Sequence, residues 1–133
     1  MRIIIAGSRG FNDYELLHDK CHEIFHQLSD EGLLTGDIRI DIPNMEIVSG
    51  TAKGADQLGE QFAKDYKIKV KRMSANWDKY GKSAGYRRNE DMAIYAKEDN
   101  GVLIALWDGV SKGTKHMINL ANKHGLKVFV VKF

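Results

Sequence analysis

The hydrophobic residues of the chain follow two patterns in turn. Four short runs are almost continuously apolar, and a fifth alternates apolar with charged residues. Continuous apolar runs are typical of strands buried on both faces, whereas strict alternation is typical of a strand with one solvated face. The sequence therefore predicts four buried strands and one further strand, expected at an edge of the sheet. In chain order these runs are Arg2–Ala6, Met45–Val48, Ile68–Met73, Gly101–Trp107 and Val128–Val131.

Between these runs, apolar residues recur every three or four positions, which predicts four amphipathic helices. The first helix is expected to begin after Asn12 or Asp13 and to end near Gly32, and the third to span Ala84 to about Lys97. Regular alternation of strands and helices predicts an α/β fold. We expect a Rossmann-like, doubly wound parallel sheet of about five strands with helices on both faces, forming one domain over residues 1–133.

Residues 30–44 do not fit this alternation and are predicted to form an irregular insertion. Within them Ile38, Ile40 and Ile42 alternate with Arg39 and Asp41. This pattern could form an extra short strand or a flap against a partner subunit, while the loop length favours an ordered surface insertion.

Composition excludes several classes of protein. A single cysteine excludes a disulfide framework, and 20 Lys and Arg against 18 Asp and Glu leave a net charge of only +2. No apolar run is long enough to span a bilayer. We expect a cytoplasmic protein without a membrane partner, for which nucleic acid is an unlikely ligand. The 13 glycines, against one proline, need a separate explanation.

Most of the glycines fall in four segments that follow predicted strands. Since the carboxyl ends of parallel strands meet at one edge of the sheet, we expect these segments to form one ligand site. Glycine amides, hydroxyl groups and cations suit a phosphate, and tryptophan suits a base. The predicted ligand-binding residues are Gly7, Ser8, Arg9, Ser49, Gly50, Thr51, Gly54, Asp56, Trp77, Arg88, Asn89, Trp107, Gly109, Ser111, Gly113 and Thr114.

Each of these signals also has a structural explanation. Tight turns need glycine, Ser111 or Thr114 could only cap a helix, and tryptophans commonly fill a core. The coincidence of four similar segments favours a site. His18 and His22 have a helical spacing but lack the glutamate of a zinc-peptidase helix, so we expect neither a metal nor a cofactor. Gly59 lies inside a predicted helix, which predicts a close contact there.

The combined motifs resemble the SLOG superfamily and, within it, the YspA-like branch. The resemblance covers nearly the whole chain except Leu28–Asn44, and it implies a Rossmann-like fold with a nucleotide site at the strand ends. The residues that carry it are Gly7-Ser8-Arg9 with Phe11 and Asp13, Val48 to Asp56, Trp77, Tyr80-Gly81-Lys82, Ala84-Gly85, Arg88-Asn89, Met92, Trp107-Asp108-Gly109, Ser111 and Gly113-Thr114.

The resemblance also bears on catalysis. The related lysine-decarboxylase-like phosphoribohydrolases carry a Gly-Gly-x-Gly-Thr-x-x-Glu motif whose glutamate is catalytic. Gly113 and Thr114 align with its Gly-Thr, but the glutamate position is Met117, which cannot act as an acid or a base. We therefore lean against an enzyme. The side chains left as catalytic candidates are those of Asp56, Asp108 and His116.

These considerations predict a protein that binds a nucleotide-derived small molecule, of the NAD, ADP-ribose or cyclic-nucleotide type, for sensing or sequestration. One alternative is hydrolysis of an N-glycosidic or phosphoribosyl bond in such a nucleotide. A second is binding of single-stranded nucleic acid, as in the related DNA-processing protein A, which a net charge of +2 supports weakly. We also expect a homo-oligomer, with Ile38–Ile42 or the third helix as the candidate surface.

Overall fold

The computed structural model describes all of residues 1–133 as five strands, six helices and two single turns of 3₁₀ helix. No helix combines the length and the apolar character needed to cross a membrane. The elements in chain order are β1 (Arg2–Gly7), α1 (Tyr14–Asp30), α2 (Ile38–Asp41), a 3₁₀ turn (Ile42–Asn44), β2 (Glu46–Ser49), α3 (Ala55–Tyr66), β3 (Lys69–Arg72), α4 (Trp77–Tyr80), a 3₁₀ turn (Gly81–Ser83), α5 (Ala84–Lys97), β4 (Val102–Trp107), α6 (Lys112–Lys123) and β5 (Lys127–Lys132).

The five strands form one parallel sheet in the order β3-β2-β1-β4-β5. Ile4 of β1 pairs with Val48 of β2 on one side and with Leu103 of β4 on the other. The chain builds outward from β1 to β3 and then returns to place β4 on the opposite side of β1. Because the strand order reverses between β1 and β4, this is where an open α/β sheet forms a crevice.

The two faces of the sheet have separate cores. Ile3 and Ile5 face a cluster that contains the buried side chains of α1 and α3, such as Leu17 and Phe62. Ile4 faces the other cluster, formed with α5 and α6. Alternation along β1 therefore assigns α1 and α3 to one face and α5 and α6 to the other. The predicted Rossmann-like, doubly wound sheet is confirmed.

The third strand is an edge strand, as its alternating pattern predicts. All four of its residues are exposed, and only the neighbouring Ile68 is buried. Three of the four, Lys69, Lys71 and Arg72, are basic. Charged residues on a short edge strand disfavour pairing with a strand of another molecule.

The insertion at residues 30–44 is ordered, but the extra strand considered for it is wrong. Ile38–Asp41 forms the short helix α2 instead. Asp37 accepts the amide of Arg39, and the Asp41 carboxylate accepts the amides of Thr35 and Gly36. These local hydrogen bonds stabilise a helical turn, and β2 has no free edge because β1 and β3 occupy both of its sides. The helix leaves Ile38 69% exposed.

A close contact explains the glycine inside α3. A Cβ atom at Gly59 would lie 2.8 Å from Cγ2 and 2.9 Å from Cβ of Ile5 in the central strand. Such distances are shorter than van der Waals contact, so only glycine lets α3 approach β1 this closely. The contact predicted from the sequence is confirmed.

Candidate ligand-binding cleft at the strand ends

A polar cleft of about 430 Å³ opens at the carboxyl end of β1, where the strand order reverses. Its walls come from the loop after β1, the N-terminus of α3, the exposed start of α5 and the N-terminus of α6. The volume lies in the range typical of small-molecule sites. Of the predicted ligand-binding residues, the cleft is lined by Gly7, Ser8, Arg9, Asp56, Trp77, Arg88, Asn89, Ser111, Gly113 and Thr114.

Arg88 is the most firmly placed cation of the cleft. Its Nη1 donates to the carbonyl oxygen of Gly50 at 2.5 Å, and its Nε donates to Oδ1 of Asn89 at 3.1 Å. The third nitrogen, Nη2, has no hydrogen-bond partner. Partial burial lowers the pKa of Arg88 from its usual value. The guanidinium is still charged at neutral pH, because arginine remains protonated in proteins. The group is therefore held in place with one edge free for a ligand.

The loop after β1 contributes a second cation and free backbone donors. The Arg9 side chain is exposed and makes no hydrogen bond or ion pair, and its charge acts on both Asp56 and Arg88. Amides of Arg9 and Gly10 likewise lack a partner, whereas the amides on either side, of Ser8 and Phe11, bond to carbonyl oxygens. Unpaired amides beside two arginines are groups that can bind an anion.

The N-terminus of α6 forms another wall. Ser111 caps the helix by accepting the amide of Thr114 at 3.4 Å, and the two hydroxyl oxygens lie 3.0 Å apart. Asp108 accepts the amides of Val110 and Ser111, each at 2.8 Å. The first two amides of α6, those of Lys112 and Gly113, have no acceptor and add to the positive end of the helix dipole.

Asp56 is a buried carboxyl group at the start of α3, with 4% of its surface exposed. Burial raises its pKa to about 6, although the Ala52 amide at 3.2 Å and the charge of Arg88 both favour the ionised form. Its environment is opposite to that of Asp108, whose pKa is lowered by the amides of Ser111 and Val110. Asp108 is therefore ionised near neutral pH, whereas Asp56 titrates just below neutral pH.

Two aromatic side chains lie at the mouth of the cleft. Trp77 is 51% exposed and Tyr86 is 47% exposed. The Tyr86 ring packs edge-on against His116, with centroids 4.5 Å apart, and Nδ1 of His116 lies 3.3 Å from Nδ2 of Asn89. His116 thus supports Tyr86 and Asn89 from behind and does not line the cleft.

Three of the predicted residues lie outside the cleft, because their side chains are held by other parts of the chain. The buried hydroxyl of Ser49 donates to Oε2 of Glu60 at 2.7 Å, on the α3 side of the sheet. Thr51 has a φ of +64° and its hydroxyl faces Ser74, near the edge strand. Trp107 donates its indole N–H to the carbonyl oxygen of Ser111, and Lys132 of β5 lies over its ring.

The remaining predicted glycines support the cleft from outside. A Cβ at Gly50 would lie 2.8 Å from Oδ2 of Asp56 and 3.0 Å from the Arg88 guanidinium, so glycine lets both charged groups approach the loop. Gly54, with a φ of +83°, packs against the carbonyl oxygens of Ser8 and Arg9. Gly109, with a φ of +85°, forms the turn after β4.

Several residues that line the cleft were not predicted as ligand-binding residues. Lys82 and Gly85 were named only among the residues that carry the family resemblance. Asp108 was named as a catalytic candidate, and Met117 only as the residue that replaces a glutamate. Tyr86 gave no signal, because its direction depends on where α5 begins, and Met92 was named only among the residues that carry the family resemblance. The lining residues absent from the predicted set are Ala6, Gly10, Ala52, Lys82, Gly85, Tyr86, Met92, Asp108 and Met117.

The histidines of α1 have a structural role. Nε2 of His18 and Nε2 of His22 lie 2.6 and 2.7 Å from the hydroxyl of Tyr66 on α3. No group of three or more His, Cys, Asp or Glu side chains is arranged to hold a metal ion. The contacts therefore tie α1 to α3.

Fold and cleft together define a Rossmann-like protein with a polar cleft at the strand ends. A family model for the YspA, cpYpsA-related SLOG family, abbreviated YAcAr, matches residues 1–80. The chain belongs to this family, which confirms the resemblance of its motifs. It is also similar to the Gene 61 protein of Mycobacterium phage D29, with 30% identity over 132 residues, covering 96% of this chain and 93% of the relative. No solved structure matches the chain.

Proposed function

We propose that the cleft binds a nucleotide-derived small molecule, of the NAD, ADP-ribose or cyclic-nucleotide type, for sensing or sequestration. The observation that carries the proposal is the convergence of Arg9 and Arg88 with unpaired backbone amides in one cleft. Membership of the SLOG family is compatible with a nucleotide-related ligand. Cations combined with backbone donors favour an anionic group such as a phosphate over a neutral ligand.

Each part of such a ligand has a counterpart in the cleft. Arg9, Arg88 and the first amides of α6 would hold the phosphate groups, which carry the negative charge. Trp77 and Tyr86 at the mouth offer exposed rings on which a base can stack. Met92 and Met117 form an apolar part of the wall. Met117 also leaves no acid or base at that point of the cleft.

Isothermal calorimetry with ADP-ribose, NAD and a set of cyclic nucleotides tests the proposal. We expect one of them to bind, and Arg9→Ala or Thr114→Ala to weaken binding by about tenfold or more, because each removes a donor next to the phosphate. Arg39→Ala is the matched control, since this substitution removes the same charge from the distant insertion. Failure of the wild-type protein to bind any member of the set would contradict the proposal, as would unchanged binding by both folded variants.

A second candidate function is hydrolysis of an N-glycosidic bond in the same ligand. It is favoured by Asp56, whose buried carboxyl group faces the cleft with a pKa of about 6, suited to general acid catalysis near neutral pH. Incubation with NAD and nucleoside monophosphates, followed by chromatography, would detect a released base. Release that is lost in Asp56→Asn supports hydrolysis, and an unchanged ligand after prolonged incubation rejects it.

A further inference from the structure

The Asp56 carboxylate has one oxygen that the protein does not use. Oδ2 accepts the amide of Ala52 at 3.2 Å, whereas Oδ1 has no hydrogen-bond partner. His124 Nε2 is the only fully enclosed side-chain nitrogen or oxygen atom that lacks a hydrogen-bond partner, so Oδ1 of Asp56 is not fully enclosed. Since Asp56 is 4% exposed and lines the cleft, the free oxygen faces the cleft.

An ionised, buried carboxylate beside a phosphate site is best matched by a hydrogen-bond donor of the ligand. Asp56 and Arg88 both lie against Gly50, but the hydrogen bonds of Arg88 go to Gly50 and Asn89, so the guanidinium does not pair directly with the carboxylate. An ionised carboxylate would repel a phosphate at this position. A sugar hydroxyl donates a hydrogen bond, carries no charge and lies within a few bonds of the phosphate in every nucleotide.

We propose that Asp56 determines the specificity of the cleft by accepting a hydrogen bond from a ribose hydroxyl through Oδ1. The inference rests on the proposed function, since it assigns the sugar of the same ligand. Ligands with a free hydroxyl at that position bind, while ligands that lack it leave a buried carboxylate without a partner. Ligands phosphorylated there are excluded by charge repulsion.

The proposal implies a dependence on pH that can be worked out from the groups around Asp56. The charges that face it are Arg88 of α5 and Arg9 of the loop after β1, which favour ionisation, and Glu60 of its own helix, which opposes it. Burial outweighs them and raises the pKa to about 6. At pH 7.5 the carboxylate is a charged acceptor, and at pH 5 it is protonated. Preference for the hydroxyl therefore falls as the pH is lowered.

Calorimetry with ADP, 2′-deoxy-ADP and 3′-deoxy-ADP tests the inference. At pH 7.5 we expect ADP to bind about 10- to 100-fold more tightly than one of the deoxy compounds, the range for a hydrogen bond to a charged group. Asp56→Asn should reduce this ratio to near 1, while Asp91→Asn, which removes the same charge from the exposed face of α5, leaves it unchanged. The ratio cancels the titration of the phosphate, which is the same in all three compounds.

The outcomes separate this inference from the proposed function. Binding of all three nucleotides with equal affinity, or a full preference in Asp56→Asn, overturns the role of Asp56 and leaves nucleotide binding in place. Failure of the wild-type protein to bind any nucleotide, including those of the wider set, overturns both. If Asp56→Asn does not fold, the wild-type ratio at pH 5 decides, since a ratio equal to that at pH 7.5 also overturns the inference.

Discussion

Nη1 of Arg88 on α5 donates to the carbonyl oxygen of Gly50 in the loop after β2, at 2.5 Å. This hydrogen bond joins α5 to the loop between β2 and α3, and the two helices pack on opposite faces of the sheet. Together with the hydrogen bond from Nε to Asn89, it fixes the position of the guanidinium. The cation that faces the ligand is thus positioned before a ligand arrives, which reduces the entropy lost on binding.

Replacement of Arg88 should weaken ligand binding strongly. In Arg88→Ala we expect a loss of about 10- to 100-fold in affinity for whichever nucleotide binds, because a charge-assisted hydrogen bond is removed. Arg88→Lys should recover only part of it, since an ammonium cannot contact Gly50, Asn89 and a phosphate with one planar group. Calorimetry measures both effects.

The neighbouring Arg87 provides the control for this prediction. Its guanidinium lies over the ring of Tyr80, with Cζ 4.4 Å from the centroid, and Nε donates to the Ser83 hydroxyl. It is exposed and does not line the cleft. Arg87→Ala should therefore bind like the wild-type protein. Equal losses in Arg87→Ala and Arg88→Ala would show that only the overall charge matters.

Replacement of Asp56 should stabilise the folded protein above pH 6. Its pKa is raised by burial from 3.8 to about 6, so the folded state binds more protons than the unfolded state between these values. Folding stability therefore falls as the pH rises through this window, and the penalty is complete above it. At pH 7.5, Asp56→Asn should increase the free energy of unfolding by up to about 3 kcal/mol, and the gain should vanish near pH 4. Urea denaturation at the two pH values measures it.

Asp108 should show the opposite sign in the same experiment. The amides of Ser111 and Val110 lower its pKa, so its ionised form stabilises the folded state above the unfolded pKa. This contribution is lost as the pH falls. Asp108→Asn should therefore be less stable than the wild-type protein at pH 7.5 and should approach it at low pH. Stabilisation by both substitutions at pH 7.5 would contradict the assignment of the two environments.

The turn before α3 should not tolerate a side chain at Gly54. This residue has a φ of +83°, and a Cβ there would lie 2.5 Å from the carbonyl oxygens of Ser8 and Arg9. We expect Gly54→Ala to lower the free energy of unfolding by about 3 kcal/mol, through both backbone strain and displacement of the loop after β1. Thermal unfolding should show a clear decrease in Tm.

Gly109 separates these two causes. Its φ of +85° is similar, but a Cβ there would have no atom within 4 Å. Gly109→Ala should therefore cost only the backbone strain, about 1 kcal/mol. A loss as large as that of Gly54→Ala would rule out the contact with Ser8 and Arg9 as the cause.

Ligand binding should change the fluorescence of one of the two tryptophans. Trp77 is exposed at the mouth of the cleft, whereas the indole N–H of Trp107 is bonded to Ser111 and its ring lies towards β5. Stacking of a base on Trp77 should quench its emission, and Trp77→Phe should abolish the response. Trp107→Phe should retain it. A response that is lost only in Trp107→Phe would contradict stacking of the base on Trp77.

The main elements of the fold could be predicted from the sequence because each buried strand is a short apolar run and each long helix has an apolar stripe. The insertion could not. Its isoleucines alternate like a strand, but the backbone conformation is decided by hydrogen bonds of Asp37 and Asp41 and by the absence of a free edge on β2. An alternating sequence pattern carries no information about local side-chain hydrogen bonds or about the order of the strands in the sheet.

The location of the cleft could also be predicted, because parallel strands bring the segments that follow them to one edge. The direction of individual side chains could not. Ser49 stands at a strand end like Ser8, but it lies on the α3 side of the sheet, since a shift of one residue turns a side chain to the other face. Trp107 lies on the same face as Ser8, yet its ring is held towards β5 by the carbonyl oxygen of Ser111 and by Lys132. Tyr86 lines the cleft only because α5 begins at Ala84.

The position of the cleft between β1 and β4 has a consequence for assays. Arg9 and Asp56 belong to the part of the chain that builds one side of the sheet, and Arg88 and Thr114 belong to the part that builds the other. A ligand that contacts all four residues links the two parts of the sheet, so it binds only the folded domain. Thermal-shift screening should thus reveal the natural ligand, since a compound at 100 times its Kd stabilises the fold by about 2.7 kcal/mol.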